Sequence, residues 1–173
     1  MILAIDAGNT RIKWGLWEDR GFVAQGSILT PRAAELPDAL HMLPRAEFAI
    51  GSNVAGATVR AAIEAALSPW RLPVSWIVSM ASQCGVISRY ENPAQLGTDR
   101  WAALVGARAR CSGACVVVNA GTAVTVDALT AQGVFLGGLI LPGLELMARS
   151  LAAGTADLPL QPGRFQPFPV NSV

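Results

Sequence analysis

Short apolar runs separated by polar turns recur along the chain. The stretch "ILAIDAGNTRIKW" begins as an apolar run, stops at Asp6, passes through Gly8, Asn9 and Thr10, and then resumes its alternation. Gly adopts backbone conformations that other residues avoid, and Asn and Thr favour turns. The pattern predicts two strands joined by a tight hairpin turn. That turn is either a structural feature with polar residues or a ligand-binding element.

Elsewhere, segments in which apolar residues recur every two residues alternate with segments in which they recur about every 3.6 residues. This alternation is typical of an α/β protein. The segment 55–67, for example, places Val59, Ile63 and Leu67 on one helical face. We expect Thr98 or Asp99 to cap a helix that runs to about residue 110. The predicted strands are 2–6, 11–17, 22–29, 46–52, 73–79, 114–118, 122–129 and 134–141, and the other predicted helices are 32–43, 55–67 and 142–153.

A second segment, "VVNAGTAVTVDALTAQGVFLGGLIL", repeats the plan of the first, 113 residues further along the chain. Each copy has an apolar strand, an Asp or Asn, a Gly-Thr turn, two more strands and a helix led by proline. This offset is too long for a solenoid repeat and suits a duplicated lobe. We therefore predict that 2–29 and 115–141 form matching three-stranded units. Their turns, at 8–10 and 121–123, should face one cleft.

Composition narrows the class of protein. The chain of 173 residues is 52% hydrophobic and 14% charged, and its net charge is +1. These values indicate a compact core, and they argue against nucleic-acid or membrane partners. Three cysteines and one histidine make neither a disulfide framework nor a zinc site. Because no signal peptide is recognisable either, we expect a cytoplasmic protein.

The paired Gly-Thr turns indicate a phosphate ligand. Backbone N–H groups in a glycine turn form a concave site for anions, to which threonine hydroxyls add donors. Asp6 would repel a bare phosphate, so a metal ion is expected between them. Lys13, the single lysine, follows the first turn, where its ammonium group can reach a phosphate. A magnesium nucleotide meets these requirements, and the sequence contains neither a P-loop nor a dinucleotide-binding fingerprint.

Five short motifs then occur in order: "DAGNT" with Lys13, "LGTDRW" at 96–101, "AGTA" with Asp127, "GGLILPG" at 137–143, and "GTADLP" at 154–159. In these motifs the chain resembles the type III pantothenate kinases of the acetate and sugar kinase/Hsc70/actin superfamily. The resemblance implies an α/β fold of duplicated actin-like (ribonuclease H-like) lobes, with mixed sheets flanked by helices. It places the N-terminal lobe at 1–113 and the first part of the second lobe at 114–173.

The resemblance also implies a reaction and its partners. The reaction is ATP-dependent phosphorylation of pantothenate to 4′-phosphopantothenate, the first step of coenzyme A biosynthesis. Mg²⁺ with ATP and a monovalent cation, K⁺ or NH₄⁺, are the implied cofactors. A homodimer is implied as well, and we expect its interface on the helix 99–110, since Trp101, Leu104 and Val105 cannot all face one small core.

Each motif residue takes a role from the family. Asp99 is the implied general base, and Asp6 serves the magnesium site. The implied ATP and phosphate ligands are Asp6, Gly8, Asn9, Thr10, Lys13, Gly121 and Thr122, and the implied pantothenate ligands are Tyr90, Gly97, Thr98, Asp99 and Arg100. In this interpretation Arg100 holds the substrate carboxylate as a fork.

Two departures from the family pattern qualify the resemblance. Asn119 stands where the family usually has Asp near the monovalent-cation site, so a charged ligand is lost there. Family members also extend past the position of Val173, and Ser172 replaces a family threonine, so we expect an incomplete second lobe. Two alternatives therefore stay open. One is another kinase or phosphatase of the superfamily, which the motif "LGTDRW" makes less favoured because it matches the acceptor site of the type III pantothenate kinases. The other is a non-catalytic regulatory or accessory protein with the kinase fold.

Overall fold

The computed structural model describes residues 1–156, 158 and 160. Ser172 and part of the "GTADLP" motif lie outside the described residues. The strands are β1 Ile2–Ala7, β2 Arg11–Glu18, β3 Gly21–Leu29, β4 Phe48–Asn53, β5 Val74–Trp76, β6 Ser82–Gln83, β7 Val86–Ser88, β8 Cys115–Ala120, β9 Ala123–Leu129 and β10 Val134–Pro142. The α-helices are α1 Leu36–Leu40, α2 Ala57–Leu67, α3 Thr98–Arg110 and α4 Leu144–Gly154, and short 3-10 helices span Thr30–Glu35, Ser68–Trp70 and Pro93–Gln95.

The first sheet is mixed, with strand order β3-β2-β1-β4-β5. β1 pairs antiparallel with β2 and parallel with β4. Alternation along β1 turns Leu3, Ile5 and Ala7 into a core that also contains Ile63 and Leu67 of α2. The residues between them face the other side of the sheet, where Asp6 lies. The local pattern thus buries one face of the strand and leaves the aspartate accessible.

The second sheet is also mixed, with strand order β6-β7-β10-β9-β8. α3 lies against one of its faces, and Trp101, Leu104, Leu129 and Phe135 form the centre of a second core. Each sheet therefore has its own hydrophobic core, as the predicted duplication requires. The second sheet includes β6 and β7, which lie before the domain boundary predicted at residue 113. The position of that boundary stays a prediction.

The two halves share local detail as well as strand order. β1-β2-β3 and β8-β9-β10 are both antiparallel meanders. In the first, the Thr30 N–H donates to the Thr10 carbonyl oxygen at 3.0 Å. In the second, the Gly143 N–H donates to the Thr122 carbonyl oxygen at 2.9 Å. The end of each third strand is thus fastened to the preceding Gly-Thr turn in the same way.

Several predicted elements differ from those observed. The helix predicted at 32–43 is a 3-10 helix followed by the five-residue α1. Pro37 lies inside the predicted span and lacks the N–H group that a continuous helix would need. The strand predicted at 73–79 has three residues, and the hairpin of β6 and β7 was not predicted because its residues are few and polar. Pro142 ends β10 instead of starting a helix.

Two expectations about α3 are wrong. Its N-cap is Gly97 and no side chain caps it, so neither Thr98 nor Asp99 has the predicted capping role. Trp101 and Leu104 are only 1% and 0% exposed, and Val105 packs against the same core. The second lobe supplies a core large enough for all three side chains. They therefore give no support to a dimer interface on this helix.

Candidate active site

The two Gly-Thr turns meet. The Oγ1 atoms of Thr10 and Thr122 lie 2.5 Å apart, within hydrogen-bond distance. Each turn is closed by a backbone hydrogen bond of 3.0 Å, from the Gly8 N–H to the Arg11 carbonyl and from the Gly121 N–H to the Ala123 carbonyl. The prediction that both turns face one cleft is confirmed. Asn9 lies exposed beside them.

Asp6 and Lys13 face each other across β1 and β2. Their side chains are 45% and 63% exposed, and Lys13 Nζ lies 3.2 Å from Asp6 Oδ2. Both charges are thus accessible next to the first turn. The described part of the chain contains no group of three acidic, histidine or cysteine side chains that could hold a metal ion. A carboxylate that shares Mg²⁺ with phosphates and water suits this arrangement, because Mg²⁺ is usually bound through one or two carboxylates and substrate phosphates.

The start of α3 is attached to the first sheet next to Asp6. Asp6 pairs in register with Ser52 of β4, and Ser52 is 4% exposed. The Ser52 hydroxyl lies 2.9 Å from the Thr98 hydroxyl. The loop that carries Gly97, Thr98 and Asp99 therefore lies at the carboxyl ends of β1 and β4. The structure brings this motif to the same edge of the sheet as the first Gly-Thr turn.

Asp99 remains partly accessible at the N-terminal end of α3. Its Oδ1 accepts a hydrogen bond from the Arg100 backbone N–H at 2.8 Å. A carboxylate in the first turn of a helix is stabilised by the helix dipole. Asp99 therefore presents a partly accessible carboxylate in the predicted acceptor motif.

Arg100 does not lie free for a ligand. Its side chain is buried against Asp127 of β9, with Nε donating to Oδ2 at 3.1 Å and Nη2 donating to Oδ1. These hydrogen bonds raise the pKa of Arg100, against the opposing effect of burial. Tyr90 also contributes to that rise in the pKa of Arg100. The guanidinium fork predicted for a substrate carboxylate is thus already occupied by a carboxylate of the protein.

The partner of Arg100 is the site residue that sequence reasoning missed. Asp127 was noted only beside the second turn, yet it is fully buried and lies under Gly138 of β10. A Cβ atom on Gly138 would overlap Asp127 Oδ1 and lie 2.8 Å from Arg100 Nη2. The signals available in the sequence were a charged residue in an apolar strand and the Gly137-Gly138 pair. Together these indicate a buried ion pair that needs room.

Two further predicted residues lie on or next to the second sheet, Asn119 in β8 and Tyr90 two residues after β7. Tyr90 packs against Phe135 with ring centroids 5.3 Å apart, which places it on the core beneath α3. Asn119 is exposed on β8, next to the second turn, and its Nδ2 donates to Thr125 Oγ1 at 3.2 Å. Asn119 thus lies near the phosphate turn, while Tyr90 lies near Arg100.

Comparison with known proteins agrees with this architecture. Residues 2–171 match the family model for type III pantothenate kinase. The type III pantothenate kinase of Aromatoleum aromaticum is 52% identical over 99% of this chain and 71% of its own length. That of Nitrosomonas eutropha is 48% identical over 99% of this chain and 67% of its own length. The present chain therefore spans about seven-tenths of these relatives.

Solved structures show the same fold at low sequence identity. A Baf family protein from Campylobacter jejuni aligns with a TM-score of 0.56 and 19% identity, over 88% of this chain and 60% of its own. Ethanolamine utilization protein EutJ from Carboxydothermus hydrogenoformans aligns with a TM-score of 0.53 and 15% identity, over 88% and 56%. The predicted class of duplicated actin-like lobes with mixed sheets is confirmed. The family match, together with these motifs, shows that the chain belongs to the type III pantothenate kinase family.

Proposed function

We propose that the protein to which this chain belongs transfers the γ-phosphoryl group of ATP to the primary hydroxyl of pantothenate. The observation that carries the proposal is the contact between the two Gly-Thr turns at Thr10 and Thr122. Two such turns place donors on opposite sides of the phosphates of one nucleotide. The N–H groups of Gly8 and Gly121 close the turns, so these glycines shape the proposed phosphate site. Asn9 and the hydroxyls of Thr10 and Thr122 are the proposed donors to the phosphates.

In this proposal Asp6 and Lys13 balance the charges of the bound magnesium nucleotide. Mg²⁺, when bound, would neutralise charge that develops on the phosphoryl oxygens. Asp6 would hold it through one carboxylate oxygen. Lys13 pairs with Asp6, and because both side chains are exposed it can also turn to a phosphate.

Asp99 is the proposed general base. Its carboxylate would accept the proton of the pantothenate hydroxyl while that oxygen forms its bond to the γ-phosphorus. The bond between the γ-phosphorus and the ADP oxygen breaks in the same step. Thr98 supports this geometry, since its hydrogen bond to Ser52 fixes the loop beside the strand that carries Asp6. The proposed base and the first phosphate turn are thus held at one edge of the first sheet.

Arg100, Tyr90 and Gly97 are the proposed pantothenate ligands. The pair with Asp127 uses the Arg100 Nε and Nη2 atoms, so Nη1 remains for the acceptor. The buried pair fixes the plane of the guanidinium. We propose that Arg100 binds the acceptor from this fixed position rather than as a free fork.

The remaining expectations belong to the whole enzyme. We propose a monovalent cation beside Asn119, a cytoplasmic location and a homodimer. The position of Asn119 supports the monovalent-cation site, since its amide lies near the end of β8, just before the second turn. Within the part of the chain that is described, no helix is long and apolar enough to cross a membrane.

An ADP-release assay with different acceptors tests the proposed function. With Mg²⁺ and ATP, pantothenate should stimulate ADP release, whereas sugars and glycerol should not. Stimulation by a sugar alone would favour another kinase of the superfamily. Pantothenate binding without ADP release would favour the non-catalytic alternative. The exposed Asp38, away from every motif, provides a control variant, Asp38→Asn, that should keep the wild-type rate.

A further inference from the structure

An open cavity of about 480 Å³ lies at the C-terminal end of α3. Two cysteines and two arginines contribute to its wall, which includes Cys84, Gly85, Arg108, Arg110, Cys111 and Ser112. We call it the Cys84 cavity. Because α3 has 13 residues, the cavity lies about 18 Å from the end of the helix that carries Asp99. It is therefore separate from the candidate active site.

Cys84 lies in a tight turn at the protein surface. The paired residues of β6 and β7 end at Gln83 and Val86, so Cys84 and Gly85 form a two-residue hairpin loop. Both residues have a positive φ, 50° and 76°, as a type I′ turn requires. Asparagine, aspartate and glycine favour this turn, and a cysteine at positive φ is uncommon. The exposed thiol is thus held on a constrained loop.

Two contacts fix this loop against α3. The Trp101 indole N–H donates to the Gln83 side-chain oxygen at 3.2 Å, directly before the loop. Arg108 passes over Gly85, since a Cβ atom on Gly85 would lie 3.7 Å from Arg108 Cγ and 3.8 Å from its Nε. Arg108 Nη1 also donates to two backbone carbonyl oxygens that follow the helix, at 3.4 and 3.3 Å. The guanidinium group is therefore held beside the loop that carries the thiol.

The charged side chains at the Cys84 cavity are positive. Arg108 is half-buried and Arg110 is exposed, and neither forms an ion pair with a carboxylate of the described residues. A guanidinium group is weakly hydrated and matches the planar geometry of a carboxylate, so two such groups favour an anionic ligand. Reactive cysteines lie in electropositive and accessible surroundings of this kind.

We propose that the Cys84 cavity is a modification site at which an anionic low-molecular-weight disulfide reacts with Cys84. Arg108 and Arg110 bind the carboxylates of that disulfide. The Cys84 thiolate attacks one of its sulfur atoms, so that a mixed disulfide forms while the S–S bond of the reagent breaks. The released half leaves as a thiolate and takes up the proton that Cys84 has lost. The reagent is thus the oxidant, and no other co-reactant is needed.

Cys84 is the attacking residue because it is the most accessible of the three cysteines. Cys111 is half-buried, and its thiol donates to the Gly113 carbonyl oxygen at 3.7 Å. Cys115 packs against the second core and does not line the cavity. Cys115 therefore provides a control cysteine outside the proposed site.

Two disulfides of similar size and opposite charge test the proposal. Dithiodipropionate carries two carboxylates, and cystamine carries two ammonium groups. The chain is incubated with each reagent, intact mass spectrometry measures the rate of adduct formation, and peptide mapping locates the adduct. Adducts should form at Cys84 in the wild type and in Cys115→Ser, and they should be lost in Cys84→Ser.

The contribution of the arginines is measured as the ratio of the dithiodipropionate rate to the cystamine rate. The reagents differ in intrinsic reactivity, so this ratio is compared between proteins. Arg110→Gln and Arg108→Gln should each lower it by about threefold or more, because each removes one positive charge from the cavity. Arg20→Gln is the matched control, since Arg20 is exposed on the first lobe, and it should leave the ratio unchanged.

Three results would overturn the proposal. The first is an adduct at Cys111 or Cys115 with Cys84 unmodified. The second is a ratio that neither cavity arginine variant lowers, and the third is an equal fall in Arg20→Gln. Cys84 and Arg110 are exposed, so their variants should fold, and circular dichroism checks this. No readout depends on phosphoryl transfer, so a failure of the proposed kinase activity would leave this result intact.

Discussion

At the scale of single residues, the neighbours Asp99 and Arg100 have opposite environments. Asp99 is accessible at the first turn of α3, whereas Arg100 is 6% exposed and paired with Asp127. The motif could be recognised from the sequence, but this division of roles could not. A strand 27 residues away supplies the partner, and local sequence does not reveal pairing at that distance.

The proposed base predicts a specific loss in Asp99→Asn. Asparagine keeps the shape of the side chain but cannot accept the hydroxyl proton. Turnover with pantothenate should fall roughly a hundred- to ten-thousandfold, which raises the barrier by about 3 to 5 kcal/mol. Nucleotide affinity should barely change, because Asp99 lies outside both phosphate turns. Steady-state kinetics and nucleotide titration measure the two effects. A variant that keeps more than about a tenth of the wild-type rate would show that Asp99 is not the base.

Asn119 leads to a second prediction at this scale. Asn119→Asp restores a charge beside the second turn, where an oxygen ligand for a monovalent cation is expected. Stimulation of the rate by K⁺ or NH₄⁺ should become stronger, because a carboxylate attracts a cation more strongly than an amide does. The measurement is the rate as a function of K⁺ concentration at constant ionic strength. An unchanged K⁺ dependence would mean that position 119 does not bind the cation.

At the scale of elements, the long strands and three of the four α-helices were predicted to within about two residues, whereas the short elements were not. β1, β2, β9 and β10 agree with the sequence pattern to within a residue or two, because alternation is a strong local signal. The helix predicted at 32–43 was wrong, because Pro37 interrupts a segment whose apolar spacing otherwise suits a helix. The short β6-β7 hairpin has no periodic signal of its own. It forms because β7 pairs with β10, which is distant in sequence.

The Gly137-Gly138 pair in β10 provides a test of how this strand accommodates the buried Arg100–Asp127 ion pair. Gly137 has a φ of 126°, which favours glycine, and the strand register shifts between Phe135 and Gly137. Gly138 then gives room for the Arg100–Asp127 pair. Gly138→Ala should lower the free energy of unfolding by about 1 to 3 kcal/mol, because the added Cβ overlaps the Asp127 carboxylate.

Gly106→Ala is the matched control in this experiment. A Cβ on Gly106 of α3 meets no atom within 4 Å, and alanine is the better helix former. It should raise the free energy of unfolding by about 0.5 to 1 kcal/mol. Urea denaturation measures both variants. If Gly138→Ala were as stable as the wild type, the glycine would not be needed to accommodate the ion pair.

At the scale of the whole molecule, two cores and one contact explain the candidate site. Each sheet packs its own apolar residues, and the lobes meet where the Gly-Thr turns join at Thr10 and Thr122. The duplication was visible in the sequence as two similar segments, so the facing turns could be predicted. The exposure of Val118 in β8 and Leu139 in β10 could not be predicted, since exposure depends on which elements cover a sheet and not on the strand's own pattern.

Transfer of labelled phosphate tests the central claim most directly. The chain is incubated with Mg²⁺, pantothenate and ATP labelled with oxygen-18 in its γ-phosphoryl group. Mass spectrometry should find the label in phosphopantothenate, at similar levels for the wild type and Asp38→Asn and at far lower levels for Asp99→Asn. Label that appears only in inorganic phosphate, or pantothenate that stays unmodified, would contradict the assignment of these turns as a pantothenate kinase site.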